Sequence, residues 1–456
     1  MNTWHNLLDE LNHTYHTGLT RPVSWRKQQL QQLRQFLVEQ EAPLLEALRT
    51  DLGKHPSEAR LTELQFLLTD IKHTLKHINR WAKPRKVGTP MLAWPAKSEL
   101  VPEPLGTVLI LGAWNYPVQL LLAPLIAAIA AGNCAIIKPS EHASEVATVI
   151  ARHLPDYLDS AAFKIVTGDV QVSAELTQLP FDHIFYTGGE NAARSILAAA
   201  APNLTPVTLE LGGKSPAVVM ADCDLAVTAR RIVWGKFLNA GQTCIAPDYL
   251  LVESSVQDQL INALKRAITE FYGDEPQHSD DYGRIIHSQH HQRLVGLLEG
   301  QTIAFGGDSS GKDNYLAPTL VTNVAADHPL MTDEIFGPIL PIVPIDSANQ
   351  AIEIINAKPK PLALYAFSKN QRTLSQFTRH IAAGNVCYND TLMFMLNDEM
   401  PFGGVGRSGM GRYHGKFGFD TFSHLKPVMT RRFILDVALR YPPYSKLKDK
   451  LLSWFS

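Results

Sequence analysis

The sequence predicts an α/β protein: a parallel sheet with crossover helices, then a second α/β block and a proline-marked arm. Five short apolar runs, Val108–Leu111, Ala135–Ile137, Lys164–Val166, Ile184–Tyr186 and Val207–Leu209, recur roughly every 20–30 residues. The segments between them have helical composition, and connections of that length join parallel strands rather than hairpins. The chain has 456 residues, of which 45% are hydrophobic and 19% charged, enough for a large core divided among two or three domains.

The first eighty residues read as helices. Leu30, Leu33, Phe36 and Leu37 recur at helical spacing, and Leu44, Leu45 and Leu48 form a second run ending at Gly53. A third helix with one buried stripe is expected through Leu61, Leu64, Leu67, Leu68, Ile71, Leu75 and Ile78. From Lys83 to Pro104 five prolines replace the helical period, which predicts an extended arm. The five strand runs follow from Gly106, and a second α/β block extends from about Ser215 to Leu396. The last sixty residues open on a glycine-rich run and close on a basic and aromatic tail.

Composition excludes several function classes. Lys plus Arg is 42 against 44 for Asp plus Glu, so nothing electrostatic favours a nucleic-acid partner. Four cysteines without a CxxC pair are no disulfide framework and fit a reducing, cytoplasmic compartment. The N-terminus MNTWHNLLDELNHTYH lacks the build of a signal peptide. The longest apolar stretch, Leu120 to Ala131, holds Pro124 and falls short of the roughly 20 residues of a membrane span.

Two motifs are decoys. LGGKS (211–215) resembles the end of a phosphate-binding loop, but Thr208 stands where that loop needs a glycine. Gly404, Gly406 and Gly409 spell GxGxxG but follow DEMPF, which is no strand. Metal is not expected: there is no HExxH, and His73 and His77, four apart on a helix, have no carboxylate between them.

The informative segment is FLNAGQTCIAPDY (237–249). Cys244 lies in a polar, glycine-containing turn, whereas Cys134 and Cys387 lie in apolar strands and Cys223 sits between two carboxylates. It reads as a nucleophile or as a buried small side chain. Glu210 directly follows the fifth run, where an acid among apolar neighbours is either ion-paired or functional. Thiol and carboxylate together suggest covalent catalysis with a base that activates water.

GAWNYP (112–117), KPSE (138–141), LELGGKSP (209–216), FLNAGQTC (237–244), EIFGPILPI (334–342) and PFGGVGRSGMGRYHGKFGFDTFSH (401–424) resemble the aldehyde dehydrogenase superfamily, in order and spacing over nearly the whole chain. The short N-terminus and RYPPY (440–444) resemble its class-three branch of fatty, aromatic and coniferyl aldehyde dehydrogenases. The resemblance implies an aldehyde dehydrogenase-like fold: a Rossmann-type cofactor domain (1–82 and 104–209), an α/β catalytic domain (210–397), and an oligomerisation arm and tail (83–103 and 398–456). It implies NAD(P)-dependent oxidation of an aromatic or medium- to long-chain aliphatic aldehyde to the acid, in a homodimer. Cys244 would attack the carbonyl, the Asn115 amide and the Cys244 N–H would hold the oxyanion, and Glu210 would activate the hydrolytic water.

The cofactor set carried over is Trp114, Lys138, Ser140, Glu141, Gly168, Thr187, Gly188, Gly189, Leu211, Glu334 and Phe336. Glu141 at the adenosine ribose favours NAD, while Lys138 and Ser140 admit NADP. YTGGENAA (186–193) departs from the family pattern: Gly189 replaces a Ser or Asn, Ala193 replaces a glycine, and Glu190 faces an anion site. Tyr116, Trp234, Met393, Phe394 and Met395 fall near the motifs and are either substrate lining or ordinary core. In the tail, Lys446, Lys448 and Lys450 interleave with Leu447, Leu451, Leu452, Trp454 and Phe455, as in a surface amphipathic helix or a subunit contact. Two other readings are an acylating enzyme that passes the thioester to coenzyme A and a non-catalytic protein on the same fold. Glu210 argues against the first, and the joint presence of Cys244, Asn115, Glu210 and Glu334 against the second.

Overall fold

The computed structural model describes residues 3–434, 436 and 440–453. All five apolar runs are strands, placed side by side in the order Val207–Glu210, His183–Thr187, Thr107–Leu111, Cys134–Lys138 and Phe163–Ile165. They are mutually parallel. A sixth, Gly409–Met410, adds antiparallel outside Glu210 and Leu209. Central strands are buried on both faces, which is why they read as continuous apolar runs rather than alternating ones.

The register brings Leu111 level with Lys138 and Tyr186, and Thr187 level with Glu210. Their carboxyl ends therefore share one edge, and the chain order reverses direction around Thr107–Leu111, where a ligand crevice opens in such sheets. The helix Gln119–Ala131 starts from that edge and is buried along its whole length, so its apolar run belongs to the core. Among the described residues no helix is long and apolar enough to cross a membrane.

A second sheet of seven strands runs from Pro216–Val219 to Asn385–Tyr388 and is parallel except for its edge strand Thr302–Phe305. The proline-rich arm is a three-stranded antiparallel sheet of Arg85–Val87, Ala96–Pro104 and Ser423–Arg431. Two pieces of residues 398–422 contact the first sheet and its helices. Gly409–Met410 joins the first sheet, and the helix Gly415–Thr421 packs on Gln119–Ala131. Glycine makes that approach possible: a Cβ on Gly418 would stand 2.9 Å from that of Ala127. The tail forms a helix at Lys446–Leu452, while Trp454 and Phe455 lie outside the described residues.

The third N-terminal helix differs from the uniform one expected. Residues Arg60–Gln65 form a π-helical turn between Pro56–Ala59 and Phe66–Trp81, and Leu61 is exposed. The turn places Glu63 in the interior, where it pairs with Lys54 at 2.6 Å. Its other oxygen accepts from the N–H groups of Val118 and Gln119 at 2.9 and 3.0 Å. Those bonds satisfy donors at the start of the buried helix, which compensates for the irregular turn.

Candidate active site

Cys244 follows a sharply bent segment. Asn239 and Ala240 are both left-handed, with φ of 53° and 50°, a conformation side chains other than glycine rarely hold. Polar contacts fix it. The Asn239 amide donates to the carbonyls of Asn115 and Gln242 at 2.8 and 3.1 Å, and its N–H donates to Glu58 at 3.0 Å. Gln242 donates to the Arg284 carbonyl and accepts from the Ile286 N–H. Gly241 is needed for space, since a Cβ there would stand 2.3 Å from the Gly337 carbonyl oxygen.

A cavity of about 950 Å³ opens at the carboxyl edge of the first sheet. Cys244, Glu210 and Asn115 line it, as do Trp114, Lys138, Ser140, Glu141, Thr187, Gly188, Gly189, Leu211, Glu334 and Phe336. Gly168 lines a smaller neighbouring cavity together with Glu141. The expected substrate residues lie outside the large one. Tyr116 is buried with its hydroxyl 2.7 Å from that of Thr243, Trp234 is half-buried on the helix Leu225–Phe237, and Met393 is exposed. Phe394 stacks on Tyr365 and Phe402, and the half-buried Met395 packs on the core.

Three electrostatic facts define the centre. Glu210 is buried and neither of its oxygens has a hydrogen-bond partner among the described residues, so desolvation holds its carboxyl well above the usual range. Burial also pushes the Cys244 thiol up to about 12, with the Glu334 and Glu210 charges adding to it and backbone N–H groups opposing. Cys134 is pushed as high by burial and the Asp159 charge, so titration does not distinguish Cys244 from its fellows; its position in the cavity does. Glu334 is raised to about 8 by burial and the Asp248 charge, against a hydrogen bond from the Gly213 backbone.

The Glu334 loop is anchored from behind. Asp248 pairs with Lys214 and accepts from the Ile335 N–H at 3.2 Å, while Arg293 donates to the Ile335 carbonyl. His290 Nε2 lies 2.8 Å from the Phe336 carbonyl oxygen, and Trp114 meets the Phe336 ring edge-on. Gly212 leaves room for Glu334, because a Cβ would lie 2.1 Å from Oε1.

At the departing segment, nothing lies within 4 Å of a Cβ built on Gly189, and this glycine begins the helix Glu190–Ala200 without a side-chain cap. Glu190 is neutralised by Arg194 and by a bidentate contact from Arg407 at 2.8 and 3.0 Å. Lys138 pairs with Glu141 at 3.0 Å.

Sequence reasoning missed Lys54, Glu63 and His290, which act from a distance in the chain. Asn239 and Gln242 stood inside FLNAGQTC, and two amides flanking a glycine before a polar cysteine turn were their signal.

Residues 14–428 match the sequence profile described as "Aldehyde dehydrogenase family". The chain is 46% identical over 443 residues to 4,4'-diaponeurosporen-aldehyde dehydrogenase of Staphylococcus aureus, covering 97% of this chain and 96% of that one. It is 44% identical over 431 residues to an enzyme of Canis lupus familiaris named "Aldehyde dehydrogenase, dimeric NADP-preferring", covering 94% and 95%. A solved structure titled "Substrate bound state of Staphylococcus Aureus AldH" superposes with a TM-score of 0.97 at 44% identity, covering 100% of both chains. The chain belongs to the aldehyde dehydrogenase family and oxidises an aldehyde with NAD or NADP as acceptor.

Proposed function

We propose that this enzyme converts aromatic or medium- to long-chain aliphatic aldehydes to carboxylic acids through a covalent thioester on Cys244. The observation that carries the reading is the convergence of Cys244, Glu210, Asn115 and Glu334 on one cavity at the carboxyl edge of a parallel sheet.

The cavity suits a dinucleotide. Its volume is in the range of cofactor sites, the buried Thr187 hydroxyl has no partner among the described residues, and the uncapped helix start at Gly189 offers N–H groups to a pyrophosphate. Pairing of Glu190 with two arginines removes the repulsion its charge would exert there. Lys138 and Glu141 would hold the adenosine ribose, the carboxylate favouring NAD over a 2′-phosphate, and Glu334 the nicotinamide ribose beside Phe336. When bound, NAD(P) supplies the hydride acceptor and a positive charge beside the thiol.

The Cys244 thiol loses its proton to water, and the sulfur forms a bond to the carbonyl carbon, whose oxygen becomes an oxyanion. Asn115 uses one side-chain N–H on the Gln242 carbonyl at 3.1 Å, which leaves its second for that oxyanion, together with the Cys244 N–H. Each such donor contributes about 3 kcal/mol as charge develops. Loss of hydride from the adduct leaves the thioester. Water then attacks, the C–S bond breaks, and Glu210, whose raised affinity for a proton suits a base, takes the proton. The C-terminal segment and arm expose Val87, Met91, Trp94, Leu425 and Met429, which with the dimeric relative supports a homodimer. Four free thiols support a reducing, cytoplasmic setting.

The test is formation of reduced nicotinamide with NAD and NADP separately, against an aldehyde panel and without coenzyme A. Turnover that ranks apolar aldehydes first and vanishes in Cys244→Ala is expected. Turnover that requires coenzyme A would replace hydrolysis with acyl transfer.

A further inference from the structure

Away from the Cys244 cavity, His73, His77 and Glu399 bring their ligand atoms within 4.8 Å of one another. His73 and His77 are one turn apart on the helix Phe66–Trp81, so their rings leave the same face, with centroids 4.6 Å apart. Glu399 arrives from the segment that follows the short helical turn Met393–Leu396, and its Oε1 stands 4.0 Å from His73 Nε2. The adjacent Asp398 occupies the other side of the same ring, 3.5 Å from Nδ1.

That division of contacts is the one a metal-bound imidazole needs: a carboxylate orients the ring through one nitrogen and leaves the other for the ion. Packing against Trp81 accounts for the positions of the two rings, but not for two carboxylates reaching them from a segment more than three hundred residues away.

We infer that His73 Nε2, His77 and Glu399 bind a divalent transition ion of borderline softness, Zn²⁺ being the type, with Asp398 orienting His73. Two imidazoles and one carboxylate are a three-ligand set that leaves a fourth position to water. Glu399 is largely exposed, so the ion enters from solvent. Binding ties the Phe66–Trp81 helix to the segment running from Phe394 to Phe402, which stack on each other.

The test uses the full-length chain, stripped with chelator and titrated with Zn²⁺ alone by calorimetry and with Co²⁺ by absorbance. One equivalent is expected whose Co²⁺ spectrum lacks the sulfur-to-metal charge-transfer band, which separates it from ions on the free thiols. His77→Ala and Glu399→Gln each weaken that equivalent, and Asp398→Asn weakens it about 10- to 100-fold. Glu399 is exposed, so its variant folds as the parent does, and the Zn²⁺-dependent rise in melting temperature disappears with it. Affinity unchanged in both His77→Ala and Glu399→Gln, or a Co²⁺ spectrum showing thiolate ligation alone, would overturn the assignment.

Discussion

The Lys54 ammonium donates to the Asn115 backbone carbonyl at 3.0 Å while Glu63 holds it at 2.6 Å, all three groups being buried. The proposed oxyanion donor is thus fixed from behind by an ion pair far from it in sequence. Lys54→Met leaves Glu63 charged and unpaired, and is expected to destabilise the fold by about 3–5 kcal/mol. It also frees the Asn115 backbone, and a misplacement on the order of 1 Å costs about 100-fold in rate. The double variant Lys54→Met with Glu63→Gln removes the stranded charge, so melting temperature recovers while kcat stays low. Recovery of both would assign the pair a structural role alone.

The Cys244 thiol should respond to Glu334. A negative charge beside a thiol raises its pKa, so removing that charge lowers it, and the charged form of Glu334 is the one present where the thiol titrates. Site-resolved alkylation of the cofactor-free enzyme is expected to rise with pH into the alkaline range. In Glu334→Gln the curve moves toward neutrality by about one pH unit.

Glu210→Gln separates the two halves of the reaction. The first turnover of reduced nicotinamide survives as a burst, steady-state turnover falls by about 10²–10⁴, and an acyl-enzyme mass on Cys244 accumulates. Because the Glu210 carboxyl is held well above the usual range, deacylation by the parent enzyme increases as pH rises and the base is freed. The variant loses that dependence. Absence of the acyl mass would remove Glu210 from the hydrolytic step.

Cofactor choice is expected to turn on Glu141. Its charge pairs with Lys138 at 3.0 Å, and Glu141→Gln frees that lysine and removes a group that repels a 2′-phosphate. The ratio of kcat/KM for NADP over NAD is expected to rise several-fold, an effect of roughly 1 kcal/mol for a part-exposed charge. An unchanged ratio would place the 2′ contact elsewhere.

Legibility in the sequence followed locality. Strands such as Cys134–Lys138 were visible because burial on both faces makes them continuously apolar, and Glu210 stood out as an acid at the end of such a run. Cys244 was visible by its polar turn. Lys54 and Glu63 were not: a lysine and a glutamate in helical surroundings look solvated until a π-helical turn rotates one inward. Phe394 and Tyr116 show the same limit from the other side, since an aromatic in the core and one in a pocket have identical composition. The carboxylates beside His73 come from the far end of the chain, which spacing along one helix does not register.

The strand Gly409–Met410 closes the edge of the sheet beside Glu210, and the Asn133 side chain donates to the Phe422 carbonyl at 2.9 Å. A growing chain therefore leaves the ribosome with the flank of Glu210 open for some two hundred residues of further synthesis. Until the C-terminal segment arrives, that strand is an unprotected edge able to pair with a neighbouring nascent chain. Truncation upstream of Gly409 would thus yield a protein prone to association, with the sheet present and its last strand missing.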